Sequence, residues 1–472
     1  MKKKVLAVSA ACALTAATAV PALALENEFH GMFRVFGTMS NFNDGGSGRL
    51  LPTDATTGRD PKTRSFVEQR ARLMYIAKAN DDLKLVTHFE IDSRWGDNSY
   101  ANGRNSGGAI GADTVNLETK NVYLDFNIPS TPMNFKVGIQ PLVDSYKGVF
   151  FNTDVAAALA TAKLGNGSVV VGFARLDDAD TFTLGSAAGR STSTPGKAKR
   201  DLYIVDGKYN ITKDVKVGAS YYLLNVDQKA GDNFVPTSTT QTYDYMRHTF
   251  GVNAEAKFAP LTLDGFLLYQ TARTNGPDKI DQKGWAANLT GKGKLGPGTL
   301  KASFLYASGD SKRGTVRDDN TYYGITNETS GANGEHSFYE SDMMILFRNK
   351  YNITGDRAIV YNVTNVIGGF VGYNANITPK AFANVNAGFV AAATGNDDFG
   401  SARVTIGGHK SDYLGTEING EIGYKVFDNL TASLQGAYVF LGDYYKDTVG
   451  TAANPQTPRD PYEGRIMLNY AF

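Results

Sequence analysis

The eight residues from Arg465 to Phe472 constrain the fold of this chain more than any other segment. Apolar and polar or small residues alternate strictly along them, with Ile466, Leu468, Tyr470 and Phe472 on one side of the alternation. Successive side chains of a β-strand point to opposite faces, so the pattern predicts a strand with one apolar face. Termini usually fray in water, whereas the last strand of a closed barrel pairs with the first. The segment therefore favours a barrel over a core strand of a soluble sandwich.

Residues 1–24 are expected to form a secretory signal peptide. Three lysines follow Met1, an apolar run extends from Val5 to Val20, and Ala22-Leu23-Ala24 forms an A-x-A cleavage site. A single domain is then expected over residues 25–472. The only cysteine, Cys12, lies in the signal segment. The mature chain is therefore expected to lack disulfides, thiolate metal sites and covalently attached haem.

Composition excludes several classes of protein. The chain has 48 Lys and Arg against 47 Asp and Glu, and removing the three signal lysines leaves 45 against 47, a net charge of −2. Such a balance gives no reason to expect nucleic acid as a partner. No stretch of about 18 apolar residues follows residue 24, so no membrane helix is expected. The 51 Gly, 25 Tyr and 26 Phe suit a membrane barrel, where aromatic residues gather at the interfaces.

Alternation between an apolar and a charged face recurs along the chain. It is clearest in Leu83 to Arg94, Arg247 to Phe258 and Leu414 to Val426, where Leu414, Ile418 and Ile422 are assigned to the apolar face. A soluble sandwich also has charged strand faces, so the repetition decides between the two. Strands of about ten residues match a tilted membrane crossing.

The connections between these strands alternate in length. Nine long and eight short links join about 18 strands in an all-β, antiparallel transmembrane barrel, with periplasmic termini and long outer loops. If the alanine-rich segment Ala157 to Lys163 belonged to a loop, about 16 strands would remain. The outer loop 310–361 is unusually long, and its apolar segment Met343 to Phe347 leaves a hairpin or an inserted helix open.

The chain resembles bacterial outer-membrane porins along its whole mature length, and it is most similar to OmpJ-type channel proteins of metal-reducing deltaproteobacteria. The residues that carry the resemblance are Glu68 to Leu73, Phe89 to Asp92 with Trp95-Gly96, Val137 to Pro141, and Asn469 to Phe472. Leu468, Tyr470 and Phe472 resemble the C-terminal assembly signal of outer-membrane barrels. The resemblance implies passive diffusion of small hydrophilic solutes. It also implies outer-membrane lipid, lipopolysaccharide, the barrel assembly machinery and a homotrimer as partners.

Two neighbouring strands and one loop supply the candidate pore lining. The candidate channel-lining residues are Glu68, Arg70, Arg72, Lys84, His88, Glu90, Asp92, Arg94, Asp144, Lys147 and Asp154. If the apolar faces meet lipid, these arginines project into the lumen, where water solvates them. His88 lies two residues from Glu90 on one strand face, a pair that is interpreted as lumen lining rather than as a catalytic or metal site.

Loop 141–155 is the candidate for the pore constriction, because the corresponding loop of porins folds into the barrel. The hypothesis is that Asp144 and Asp154 face the arginine cluster and create a transverse field that sets ion preference. In the alternative, the loop stays outside and the arginines pair with Glu68, Glu90 and Asp92 along the wall.

The sequence contains none of the common enzyme signatures. GxxxxGK[ST], HExxH and G-x-S-x-G are all missing, so we expect no enzymatic activity and no cofactor. Aspartate-rich loops lack the spacing of an EF-hand, so no metal site is expected. Two other functions stay open: a barrel enzyme, and a structural barrel that supports electron-transfer or ligand-binding proteins at the surface.

Overall fold

The computed structural model describes residues 25–42, 63–97, 107–111, 117–178, 199–229, 243–275, 280–310, 318–325, 337, 339–347, 351, 358–360, 363–395, 411–451 and 453–472. The predicted signal peptide and Cys12 lie outside the described residues, as does much of loop 310–361. Helical structure in the described part of the chain is confined to the 3-10 turn Asp443–Tyr445. None of the described residues form a helix long and apolar enough to span a membrane.

The described strands are β1 Glu26–Ser40, β2 Arg64–Asn80, β3 Leu83–Arg94, β4 Glu118–Asn127, β5 Met133–Val143, β6 Asn152–Leu164, β7 Gly167–Asp178, β8 Lys199–Asn210, β9 Val215–Lys229, β10 Tyr243–Phe258, β11 Leu261–Thr274, β12 Asp281–Leu295, β13 Gly298–Ala307, β14 Asp318–Asp319, β15 Val366–Asn376, β16 Ala381–Ala392, β17 Tyr413–Phe427, β18 Leu430–Leu441, β19 Val449–Thr451, β20 Asn454–Gln456 and β21 Tyr462–Ala471. The three shortest, β14, β19 and β20, are not strands of the barrel wall.

The other eighteen strands form a closed antiparallel barrel, which confirms the predicted fold class. Each wall strand pairs with the next along the chain, and β21 pairs with β1 from Met32↔Ala471 to Ser40↔Glu463. The alanine-rich segment belongs to β6, which pairs with both β5 and β7. The barrel therefore has 18 strands rather than 16. All eight predicted short links join consecutive wall strands.

The junction between β1 and β21 closes the barrel, and we call it the seam. The two strands approach each other most closely at Gly31. Its backbone N–H donates to the Phe472 carbonyl at 2.9 Å, and the Phe472 N–H donates back at 3.0 Å. A Cβ at residue 31 would lie 2.5 Å from the Phe472 ring, so only glycine leaves room for that ring. The ring also stacks on Tyr470 at a centroid distance of 5.4 Å. The terminal aromatic thus packs across the junction between the two strands.

The two faces of the wall differ as the alternation predicts. On β10, the side chains of Phe250 and Val252 face outward and are 48% and 54% exposed, while Arg247 and Thr249 face inward and are buried. Ile466, Leu468 and Tyr470 on β21 and the following residue Phe472 face outward as predicted, and Arg465 and Met467 are buried inside. Many large apolar side chains are therefore exposed on the outside of the barrel. The inward faces carry buried charged and polar residues together with an apolar cluster that includes Leu202, Leu224 and Leu268.

The assignment of Leu414 to the outer face was wrong. Tyr413 pairs with Ala391 and Gly415 pairs with Val390, so Leu414 is an extra residue opposite this pair. Gly415 has a φ of 150°, and a Cβ there would lie 2.5 Å from the carbonyl oxygen of Phe440. The bulge turns Leu414 to the opposite face from Ile418, and its side chain is completely buried in the apolar interior cluster.

Removing Phe472 is expected to lower the amount of folded barrel several-fold, because the seam loses two backbone hydrogen bonds and the ring over Gly31. Gly31→Val should act in the same direction by displacing that ring. The measurement is the heat-modifiable fraction on gels of outer-membrane preparations. Phe304→Ala is the control, since Phe304 faces outward on β13 away from the seam. Normal accumulation of both variants would contradict the proposed role of Phe472 in closure.

Candidate functional site

Strands β2 and β3 place three arginines directly opposite three carboxylates. The paired residues are Glu68↔Arg94, Arg70↔Asp92 and Arg72↔Glu90. Directly opposed side chains on one sheet face lie close enough to interact. The register therefore converts two alternating sequences into a ladder of ion pairs on the interior face, which we call the arginine wall.

The bonds of the arginine wall are short and partly bidentate. Arg70 donates to both oxygens of Asp92 at 2.7 Å and lies 3.2 Å from Glu90. Arg72 donates to Glu90 at 2.5 Å, and Arg94 donates to Glu68 at 3.1 Å. Two-pronged arginine–carboxylate bonds fix geometry as well as charge. The arginines thus pair along the wall, as the alternative reading of the sequence had it.

The wall arginines differ in how open they are to solvent. The Arg70 side chain is nearly buried, while those of Arg72 and Arg94 are 29% and 34% exposed. The carboxylates of Glu68, Glu90 and Asp92 are buried behind them. A solute in the lumen would therefore meet guanidinium groups before it met carboxylates.

The sequence reasoning missed two further interior arginines, on the strands of the seam. Arg34 lies directly opposite Arg70, donates to Asn469 at 3.1 Å and stacks on the ring of Tyr351 at 4.9 Å. Arg465 is buried, donates to Glu463 at 2.5 Å and lies over Phe36 at 4.6 Å. Both occupy inward positions of the alternating pattern in β1 and β21. That pattern could have identified them from the sequence.

Three other candidates, Lys84 and His88 on β3 and Asp154 on β6, contact residues of β4. Lys84 lies 3.4 Å from Asp125. His88 contacts Asn121 at 3.2 Å through Nδ1. Asp154 forms an ion pair with Lys120 and accepts from Asn121 at 2.8 Å. Asp154 therefore belongs to the β4–β6 part of the wall and is paired there, contrary to the hypothesis that it faces the arginine cluster.

Asp144 organises its own loop. Its two oxygens accept backbone N–H bonds from Tyr146, Gly148, Phe150 and Phe151 at 2.6–2.8 Å. Burial raises the pKa of this carboxyl to about 6, although the four N–H donors act in the opposite direction. Because both oxygens are enclosed, Asp144 holds a turn together and does not face the arginines. This corrects the expected placement of its charge.

Loop 141–155 nevertheless folds into the barrel. Tyr146 bonds Ser220 at 2.5 Å and Ser145 donates to Asp206 at 2.7 Å, both on the inner wall. Lys147 donates to Asn288 and Thr290 at 2.6 Å and pairs with Asp264. These partners belong to β8, β9, β11 and β12, and β11–β12 lie about halfway around the barrel from the arginine wall.

A second segment enters the interior from loop 310–361. The buried carboxylate of Glu417 on β17 accepts three successive backbone N–H bonds, from Met344, Ile345 and Leu346, at 2.6–2.9 Å. The described part of this segment is neither a helix nor a hairpin. The two loops also meet, since the Ile325 N–H donates to the Phe150 carbonyl at 2.7 Å. Glu417 was not among the predicted site residues.

The barrel fold recurs in solved structures. OccK5 (OpdH) of Pseudomonas aeruginosa has a TM-score of 0.53 and 14% identity, covering 95% of this chain and 98% of that one. OccAB4 of Acinetobacter baumannii has a TM-score of 0.52 at the same identity and coverage. The outer membrane protein OpdK of P. aeruginosa has a TM-score of 0.51 and 11% identity, again over 95% and 98%. This chain shares their fold.

At such identities the likeness concerns the fold alone. Neither a family model nor a curated protein matches this chain in sequence. The particular similarity to OmpJ-type channel proteins stays a prediction.

Replacing Asp144 with Asn is expected to raise single-channel conductance and current noise. The variant loses the charge that accepts four backbone N–H bonds, each worth about 1.5–3 kcal/mol when the acceptor is charged, so the loop packs less tightly. Asp154→Asn is the matched control, because it changes an interior carboxylate without touching the loop's turn. A change of ion selectivity at unchanged conductance and noise would instead mean that Asp144 faces the lumen.

Proposed function

We propose that this chain is an outer-membrane channel for the passive diffusion of small hydrophilic solutes. The observation that carries the proposal is the inside-out distribution of its side chains. Large apolar residues are exposed around the outside, with Leu289 60% and Ile466 66% exposed, while the buried charged residues of the wall, Arg70 and Arg465 among them, face inward. An apolar belt of this extent is unfavourable in water and favourable in lipid.

Closure of the sheet supports the same location. Lipid offers no partners for backbone N–H and C=O groups, so only helices and closed barrels span a membrane. The fold shared with outer-membrane channels of Pseudomonas and Acinetobacter is consistent with this role. Export by the signal peptide, insertion by the barrel assembly machinery, contact with lipopolysaccharide and assembly as a homotrimer are part of the proposal.

The charge of the lumen suggests which solutes pass. Arg34 contacts an amide and an aromatic ring and, among the described residues, no carboxylate. The arginine wall beside it presents the guanidinium groups of Arg72 and Arg94 to the interior. We propose that small anionic solutes are favoured along this side. A structure of OpdK with the carboxylate vanillate, at 12% identity and a TM-score of 0.50, supports that choice of solute class.

A structural barrel around a partner protein is the second candidate function. Its interior would have to accommodate the partner, whereas segments of this chain's own loops occupy part of the described interior. No catalytic role is proposed. Single-channel conductance separates the channel from the structural barrel.

Single-channel recording of the purified protein in planar bilayers tests the channel proposal. Stepwise, stable conductance in KCl is expected, from protein whose gel mobility changes on boiling. Folded, heat-modifiable protein that inserts without conductance would contradict a diffusion channel and favour the structural barrel.

Arg34→Gln combined with Arg72→Gln is expected to shift selectivity toward cations, seen as a change of reversal potential under a salt gradient. In the described part of the chain Arg34 has no carboxylate partner to lose, and Glu90 keeps Arg70 when Arg72 is replaced. Arg70→Ser is avoided, because removing one member of a buried ion pair costs about 3–5 kcal/mol. Lys257→Gln, an exposed interior charge near a short turn, is the control. If Lys257→Gln shifted the reversal potential equally, Arg34 and Arg72 would have no particular role in ion selectivity.

A further inference from the structure

A polar cavity of about 290 Å³ lies inside the barrel, between the inserted segment that Glu417 holds and the strands β15 to β18. Its polar lining includes Glu340, Asp342, Asn384, Asn386, Glu421 and Gln435. None of the described residues that line it is an arginine or a lysine, although the arginine wall lies on nearby strands. This cavity is distinct from the arginine wall.

Glu421 gives the cavity an unbalanced negative charge. Its carboxylate accepts from Asn384 and Gln435 at 3.0 Å, both neutral amides, and within the described part of the chain it forms no ion pair. Asp342, in contrast, pairs with Lys301 at 2.5 Å. A carboxylate that faces a cavity with only neutral donors is a natural counter-charge for a cation.

Gln435 provides a second, independent sign of a missing ligand. Its side chain is 4% exposed, and its Nε2 donates to Glu421, which fixes the orientation of the amide. Its Oε1 is buried and has no hydrogen-bond partner among the described residues. Buried acceptors are normally satisfied, and leaving one unpaired is unfavourable. The site therefore lacks a donor.

The side-chain amides around the cavity donate N–H hydrogen bonds to one another and to Glu421. Asn386 donates to Asn384 at 3.2 Å and to Asn419 at 2.9 Å, and Asn384 donates to Glu421. The cavity consequently offers mostly acceptors: carboxylate and amide oxygens. A protonated amine, which carries three N–H donors, a positive charge and no acceptor, complements this set, whereas a carboxylate does not.

The ring of Tyr351 lies between the cavity and Arg34. Tyr351 lines the cavity, and the guanidinium of Arg34 lies over the same ring at 4.9 Å. Arg34 is thus held next to the cavity by the ring and by Asn469, and among the described residues it forms no ion pair with Glu421.

We infer that this cavity binds the protonated amino group of permeating solutes, with Glu421 as counter-charge and the Gln435 Oε1 as an acceptor. The inference rests on the proposed channel function and adds small primary ammonium compounds to its solutes. It assigns the acidic side of the lumen a role separate from that of the arginine wall.

The test uses ethanolamine hydrochloride at neutral pH, with ethylene glycol as the neutral probe of similar size. In single-channel recordings in KCl, ethanolammonium is expected to interrupt the current of the full chain, and ethylene glycol is not. Glu421→Gln should shorten the interruptions about tenfold, which corresponds to about 1.4 kcal/mol. Glu421→Asp, which keeps the charge, should retain most of the effect. Glu255→Gln is the matched control, because Glu255 is an interior carboxylate that Lys216 and Lys257 already pair.

Heat-modifiability establishes first that each variant is folded. If Glu421→Gln does not fold, Gln435→Leu takes its place, since it removes the unpaired acceptor and should also shorten the interruptions. Conductance without interruptions by ethanolammonium would overturn the inference and leave the channel proposal intact. Interruptions that survive Glu421→Gln, or that Glu255→Gln shortens equally, would place the amine elsewhere and overturn it as well. A folded protein without conductance would remove both proposals together.

Discussion

Pairing of β21 with β1 is the constraint on which the rest of the structure depends. An open sheet of this length would leave two edges of unpaired backbone groups, and closure satisfies both. Closure also gives every wall strand an inside and an outside. The tight contact of the Phe472 ring with Gly31 lies at this junction. The inward-facing polar residues, the inserted loops and the arginine wall all depend on this closure.

Two buried carboxylates shape the interior in the same way. Asp144 accepts four backbone N–H bonds from its own loop, 141–155. Glu417 accepts three from the inserted segment of loop 310–361. A carboxylate satisfies several amides that would otherwise be buried without partners. Loop 141–155 packs against β8, β9, β11 and β12, and β11–β12 lie about halfway around the barrel from the arginine wall. The segment of loop 310–361 packs against β13, β15 and β17, and the cavity around Glu421 adjoins it.

The candidate site was predictable where it depended on strand parity. Arg70, Arg72 and Arg94 follow the inward side of β2 and β3, and the structure places them there. Parity also applies to Arg34, which the sequence reasoning passed over. The position of Asp144 was not predictable in this way, because a loop carboxylate turns toward whichever donors the folded loop presents. The charge facing the arginines was therefore misassigned.

The sequence by itself determined the all-β class, the short turns and the two faces of most strands, because a period of two is a local property of the backbone. It left 18 or 16 strands open, and the pairing of β6 with β5 and β7 decided for 18. Tertiary structure alone decided the register that pairs each wall arginine with a carboxylate, since pairing joins residues far apart in the chain. It also decided the bulge that buries Leu414 and the docking of Met344 to Leu346 on Glu417. These features depend on which surfaces meet inside the closed barrel, and no local pattern records that.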